Sequence, residues 1–273
     1  NEVARFILSD LDSAIMLMGS GKGTDKTRIN KETALLLKSR VALFEGTWLK
    51  YFKNTAFVPN GPEWPGKSKD YNAGYQFPTG DIDKEINYFL TQSMEASKAE
   101  GDEITLVENT GLVQQSAAEA ANPYMDMFSA ENMSGYSEVL LWRPYSKALG
   151  VTHNVVTAGQ HGNYGIGLTR GMVEGFLMAN GLPIYSPNSG YQGDETIADV
   201  RKERDSRLSI FLKEPGQKNI LFEAAGGDMA VPVEPYPVIL NSNAEKGYST
   251  GYALRKGGSY EQKQCDNTQN YTG

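Results

Sequence analysis

The chain has 273 residues, enough for one large domain or two ordinary ones, with 26 Lys and Arg against 33 Asp and Glu, a net charge of −7. An acidic surface of this kind repels polyphosphates and excludes nucleic acid as a natural partner. A single cysteine, Cys265, forbids an intrachain disulfide. Exported bacterial proteins without disulfides are common, so cysteine usage does not fix the compartment. No apolar run reaches the roughly 20 residues needed to span a bilayer.

In chain order, Val3, Ile7, Leu11, Ala14, Ile15 and Met18 recur at helical spacing, with Arg5, Ser9, Asp10, Asp12 and Ser13 on the other side. This predicts an amphipathic helix that stops at the glycines between Gly19 and Gly23, which remove helical preference. A second helix is expected after a cap at Asn30, with Glu32 close behind it and Leu35, Val41, Ala42, Leu49 and Phe52 on its apolar face. Small residues at Ala34, Ala42 and Gly46 would let another helix approach closely. Together the two predict an αα-hairpin, the unit of tetratricopeptide-like arrays, though a single copy does not establish a solenoid.

From Thr55 to Gly80 four prolines sit among Gly, Asn and the aromatics Trp64, Tyr71, Tyr75 and Phe77, which predicts a long loop. Loops of this length are functional or disordered, and the aromatic content argues for the former. Helix returns over Asp81–Lys98, followed by an Ala-rich stretch from Leu112 to Ala121. Ser137–Trp142 reads as a short buried strand, with Trp142 in the core. Thr169 is expected to cap a helix ending at Gly181, while Pro183–Tyr185 and Gly251–Arg255 read as brief strands.

Several motifs evoke chemistry without its context. Gly247-Tyr-Ser-Thr-Gly251 has the spacing of an esterase nucleophile elbow, but no helix follows and both histidines precede the serine. Gly19-Ser-Gly-Lys-Gly-Thr24 evokes a phosphate loop, yet the preceding element is a helix and the leading glycine position is Met16. Asp81, Asp83 and Glu85 alternate like a calcium loop, but Ile86 and Gln92 stand where glycine and the bidentate carboxylate belong. His153 and His161 have no Cys or His cluster around them. The charge run Arg201–Arg207 reads as a self-neutralising turn network centred on Asp205.

Some of these segments, taken together and in this order, resemble the SusD/RagB family of outer-membrane nutrient-binding lipoproteins. They are Ser9-Asp-Leu-Asp-Ser-Ala-Ile15, the helix Ala34–Gly46, the strand Glu138–Arg143, the capped segment Leu168–Gly181 and its following Pro183-Ile184. Arg204-Asp-Ser-Arg-Leu208, with Ser206 where the family has Pro, and the late strand Thr250–Lys256 complete the set. The resemblance implies a mainly α, SusD-like fold: a tetratricopeptide-like hairpin over 1–54, then an irregular, loop-rich ligand-binding region over 55–273 with a few short strands. It also implies a central piece lacking both ends, and so neither lipoprotein signal nor acylated cysteine.

The function implied is non-catalytic capture of a glycan or other nutrient at the bacterial cell surface, without cofactor or metal. Delivery would be to a TonB-dependent outer-membrane transporter, and contact with the membrane only through a lipid anchor absent from this chain. A sugar presents a C–H face ringed by hydroxyls, which flat aromatics bordered by polar side chains hold. The candidate ligand contacts are therefore Trp64, Tyr71, Tyr75, Tyr124, Tyr145, His161 and Tyr164, with Asn72, Gln76, Arg143, Asn154, Gln160 and Asn163 as polar edges. Two competing readings are a glycoside hydrolase, with carboxylates flanking a cleft, and a helical protein-interaction scaffold.

Overall fold

Apolar residues repeating at helical spacing give the longest elements of the computed structural model, which describes residues 1–116, 118–151, 167–214, 217 and 250–254. The described residues are mainly helical and form no sheet. The chain divides into two compact units, Asn1–Leu106 with Ser137–Trp142, and Val107–Tyr136 with Arg143–Gly273.

The first unit rests on α1 (Glu2–Leu17), α2 (Lys31–Tyr51) and α3 (Ile82–Gly101). The Asn30 side chain accepts from Thr33 N–H to start α2, and Asp81 accepts from Lys84 N–H to start α3. Asp12 pairs with Lys38 at 2.6 Å, and the backbone nitrogen of Asn1 lies 3.5 Å from Glu45 Oε1. α1 and α2 are therefore antiparallel. Ser39 with Ser93 at 3.2 Å and Lys53 with Asp83 at 2.6 Å show that α2 and α3 are antiparallel as well.

The small residues of α2 do what their spacing predicts. A Cβ on Gly46 would lie 2.9 Å from Leu90 Cδ2 and 3.2 Å from Phe89 Cβ, so glycine is what lets α3 come this close. Leu8, Ala42, Leu49, Val58, Phe77, Ile86 and Phe89 form the core of this unit. The inward face of α1 is rotated from the expected one: Leu8 is buried, while Val3 and Ile7 are exposed. With this face turned inward, the Arg5 guanidinium reaches Glu85 on α3.

Ser137–Trp142 is not a strand, and Trp142 is only partly buried. No neighbouring strand among the described residues offers it a ladder. Its polar groups go instead to the connection between α1 and α2: Leu140 C=O accepts from Asn30 Nδ2 at 2.8 Å, and Trp142 Nε1 donates to Asp25 C=O at 2.6 Å.

In the second unit the helices are short: α4 (Pro123–Met127), α5 (Arg170–Gly175), α6 (Ile197–Arg201) and α7 (Ser206–Phe211). Each begins on a side-chain cap, supplied by Asn122, Thr169, Thr196 and Asp205. The cap at Thr169 matches the sequence expectation, but α5 stops well before Gly181, which instead makes a turn at φ 81°. Pro183–Tyr185 is a turn, closed by Ser186 N–H to Pro183 C=O at 3.0 Å. The expected late strand is reduced to an isolated bridge between Leu212 and Leu254, and Arg255 lies outside the described residues. Val173, Ile197, Val200, Leu208, Leu212 and Tyr252 form this unit's core.

Arg204 ties the short helices together. Its buried guanidinium donates to the carbonyls of Val173 and Phe176 at the end of α5, each at 2.7 Å, and to Val200 in α6 at 3.2 Å. Burial holds its pKa below the ordinary arginine value, against the pull of nearby tyrosines and Asp205. Asp205 chelates Arg207 through both oxygens, the turn network foreseen for this run. Arg201 differs from that expectation: it is drawn inward to Glu214 and the Ser209 carbonyl.

Candidate functional site

The segment between α2 and α3 is an ordered chain of turns. Thr55, Val58, Gly61, Trp64, Lys67, Asn72 and Tyr75 each donate a backbone N–H to the carbonyl three residues earlier. Short 3₁₀ turns at Pro65–Ser68 and Asp70–Asn72 continue the run. Asn54, Asn60 and Glu63 take positive φ, at 65°, 61° and 57°, a conformation asparagine tolerates better than most residues. Val58 and Phe77 anchor the two ends in the helical core.

These turns fix an aromatic pair. The Trp64 indole lies so close over Gly66 that a Cβ there would sit 2.3 Å from Trp64 Cζ2. Asn72 Nδ2 donates to the Gly66 carbonyl at 2.9 Å, and Asn60 Nδ2 to the Tyr75 carbonyl at 3.0 Å. The Trp64 and Tyr75 rings stand 5.6 Å apart, and Tyr75 meets Phe77 edge-on at 5.4 Å. Trp64 is partly buried and Tyr71 is 84% exposed. Gly66 and Tyr75 thus hold the indole in one orientation.

Of the pair, Tyr75 has the more structural part. It packs against the core, and its hydroxyl is buried without a hydrogen-bond partner among the described residues. Burial, reinforced by the Glu85 charge, pushes its phenol up to about 12. Glu85 is fully buried, clasped by Arg5 through two hydrogen bonds of 2.7 and 2.9 Å and by the Thr79 hydroxyl at 2.6 Å. Burial alone would raise its pKa, but these bonds outweigh it and hold the carboxyl below the ordinary range.

Two other predicted contacts belong to the second unit. Tyr124 meets Phe128 edge-on at 5.2 Å and Phe211 at 6.3 Å, so its ring packs within its own unit. Tyr145 lies under the Arg143 guanidinium at 5.5 Å. His161 and Tyr164 lie outside the described residues, as do His153, Asn154, Gln160 and Asn163. Trp64, Tyr71 and Tyr75 are thus the predicted contacts that share one ordered loop.

The motifs lacking context are engaged elsewhere. Lys22 pairs with Glu103 at 3.3 Å, and Thr24 Oγ1 donates to the Gly21 carbonyl at 2.7 Å, so the glycine-rich turn closes on itself. Asp81 caps α3, Asp83 pairs with Lys53, and Glu85 holds Arg5, three separate duties instead of one calcium loop. Among the described residues no group of three or more His, Cys, Asp or Glu side chains is placed to hold a metal ion.

Sequence reasoning missed two clusters. On α2, Phe44 stacks on Trp48 at 5.9 Å, Trp48 tilts against Phe52 at 4.3 Å, and Phe57 closes on both. The signal was the spacing of four that joins 44, 48 and 52, of which the expected apolar face had included only Phe52. In the second unit, Asp194 pairs with Arg170 at 3.4 Å and acts on both Tyr191 and Tyr252. Burial first, then the Asp194 charge, raises the pKa of each phenol. Nothing local in the sequence joins positions 170, 194 and 252.

No helix among the described residues is long and apolar enough to cross a membrane. No family model, curated protein or solved structure matches the chain.

Proposed function

We propose that this chain is a non-catalytic binding module of the SusD-like kind, capturing a glycan or other nutrient. The reading places it at a bacterial outer-membrane surface, handing its ligand to a TonB-dependent transporter. The observation that carries it is the immobilised Trp64 indole on an ordered loop, seated over Gly66, backed by Tyr75 and accompanied by the exposed Tyr71. An aromatic face held in one orientation loses little entropy when a pyranose stacks on it. Gln76 and Lys67, exposed in the same run of turns, are polar edges suited to sugar hydroxyls. In this reading α1 and α2 form a tetratricopeptide-like hairpin. Their antiparallel pairing and the close packing on α3 at Gly46 support it.

A glycan-array screen of the full chain, with product analysis on the same samples, tests the proposal. Binding without cleavage, lost when Trp64, Tyr71 and Tyr75 are replaced by alanine, is the expected outcome. Cleavage would favour a glycoside hydrolase and overturn the reading. Binding that survives the triple variant would move the site away from this loop.

A further inference from the structure

We propose that α2 carries a self-association surface, and that its occupant is α2 of a second copy of this chain. Leu37, Phe44, Trp48 and Tyr51 lie on one stripe of the helix by their spacing, and are 49%, 65%, 36% and 74% exposed. Arg40 lies on the same stripe, is exposed, and makes no ion pair among the described residues. The stripe runs about 21 Å, long enough for a helix–helix contact.

Its order is symmetric about Phe44. Leu37 and Tyr51 each stand seven positions away, and Arg40 and Trp48 each stand four. Two α2 helices packed antiparallel about a two-fold axis at Phe44 therefore place Leu37 on the partner copy's Tyr51 stripe position. The same operation sets the Arg40 guanidinium over the indole at position 48 of the other copy and brings the two Phe44 rings together. Each contact is chemically matched: aliphatic on aromatic, cation on the best π donor, ring on ring. A surface complementary to its own image is what a two-fold dimer requires, because every contact occurs twice.

The area sets the strength. Counting only the exposed fractions of these side chains, the stripe offers at most on the order of 1,000 Å² in total across both copies. That is the small end of specific interfaces, so the dimer forms weakly, in the micromolar range or above. The Trp64 loop is not part of the stripe, so the inference stands apart from the proposed binding function.

Sedimentation equilibrium of the full chain, from micromolar to near-millimolar concentration, reads the association directly. The expected result is a monomer–dimer equilibrium weakened at least about tenfold by Phe44→Asp, which places two charges on the axis, and more mildly by Arg40→Glu. Both positions are exposed, and circular dichroism of each variant serves as the check that its helices are kept. In a Cys265→Ser background, Phe44→Cys should cross-link to itself on oxidation, while Leu37→Cys alone should not. Adding Tyr51→Cys chains to Leu37→Cys chains should then produce the mixed dimer. A monomer over the whole range, a dimer indifferent to Phe44→Asp, or cross-linking of the exposed control Tyr71→Cys as efficient as at position 44 would overturn the proposal.

Discussion

The two units reach order by different routes. In the first, helices of 16, 21 and 20 residues pack along their length, and most stability comes from apolar side chains interlocked between them. In the second, the helices have five or six residues, too few to persist alone, and buried polar side chains stitch their ends together. Long periodic helices tolerate the loss of one contact. Short capped ones depend on a few hydrogen bonds, among them the three donated by the Arg204 guanidinium.

Arg204→Ala should sharpen this contrast most. It removes the guanidinium donor from the carbonyls of Phe176 and Val200 and leaves Val173 C=O only the Phe176 N–H, in a buried setting, at a cost of about 4 kcal/mol. Hydrogen exchange would show faster exchange in α5 and α6. Unchanged protection there would mean the arginine is incidental.

Glu85→Gln is the corresponding cut in the first unit. It leaves Arg5 facing a neutral amide and should cost about 3 kcal/mol at neutral pH. Because the folded pKa of Glu85 is held below its ordinary value, its stabilisation is present above that value and fades as pH falls through the folded one. The variant should therefore show a flatter loss of stability in acid, read from denaturant midpoints across pH. An acid limb identical to that of the unaltered chain would contradict this.

Smaller effects follow from the α2–α3 contact and the nearby buried acid. Gly46→Ala pushes a methyl toward Leu90 and Phe89, where the flexible leucine end can yield, and should cost about 1–2 kcal/mol in thermal unfolding. Glu100 is only 7% exposed and its Oε1 has no hydrogen-bond partner among the described residues, and burial, aided by the charges of Glu32 and Glu103, raises its pKa. Lys22 opposes the shift. A raised acid costs stability as pH climbs through the folded value, so Glu100→Gln should gain about 1 kcal/mol at neutral pH. A loss there would show that the carboxylate serves an unrecognised contact.

Legibility in the sequence followed the same division. Asn30 and Thr169 were readable as caps because a cap acts within three residues of itself, whereas Asp81, expected inside its helix, turned out to be the cap. Gly46 was readable as a close-approach point because it repeats with Ala42 on one face. Ser137–Trp142 misled because an apolar run implies burial only if a partner strand exists, and pairing is not a local property. The buried roles of Glu85 and Arg204 depended on Arg5, eighty positions away, and on carbonyls about thirty positions away, which no spacing rule reaches. At the candidate site the aromatic loop was legible from composition. The seating of Trp64 over Gly66 and the inward turn of Tyr75 were not, since both arise from the succession of turns between them.

The most direct test of the capture reading is a titration of a bound glycan, followed by intrinsic fluorescence, comparing the unaltered chain with Trp64→Ala. The account predicts saturable binding without product formation and a loss of affinity of about tenfold or more when the indole is removed. Equal affinity in the two proteins, or release of a cleaved sugar, would contradict it.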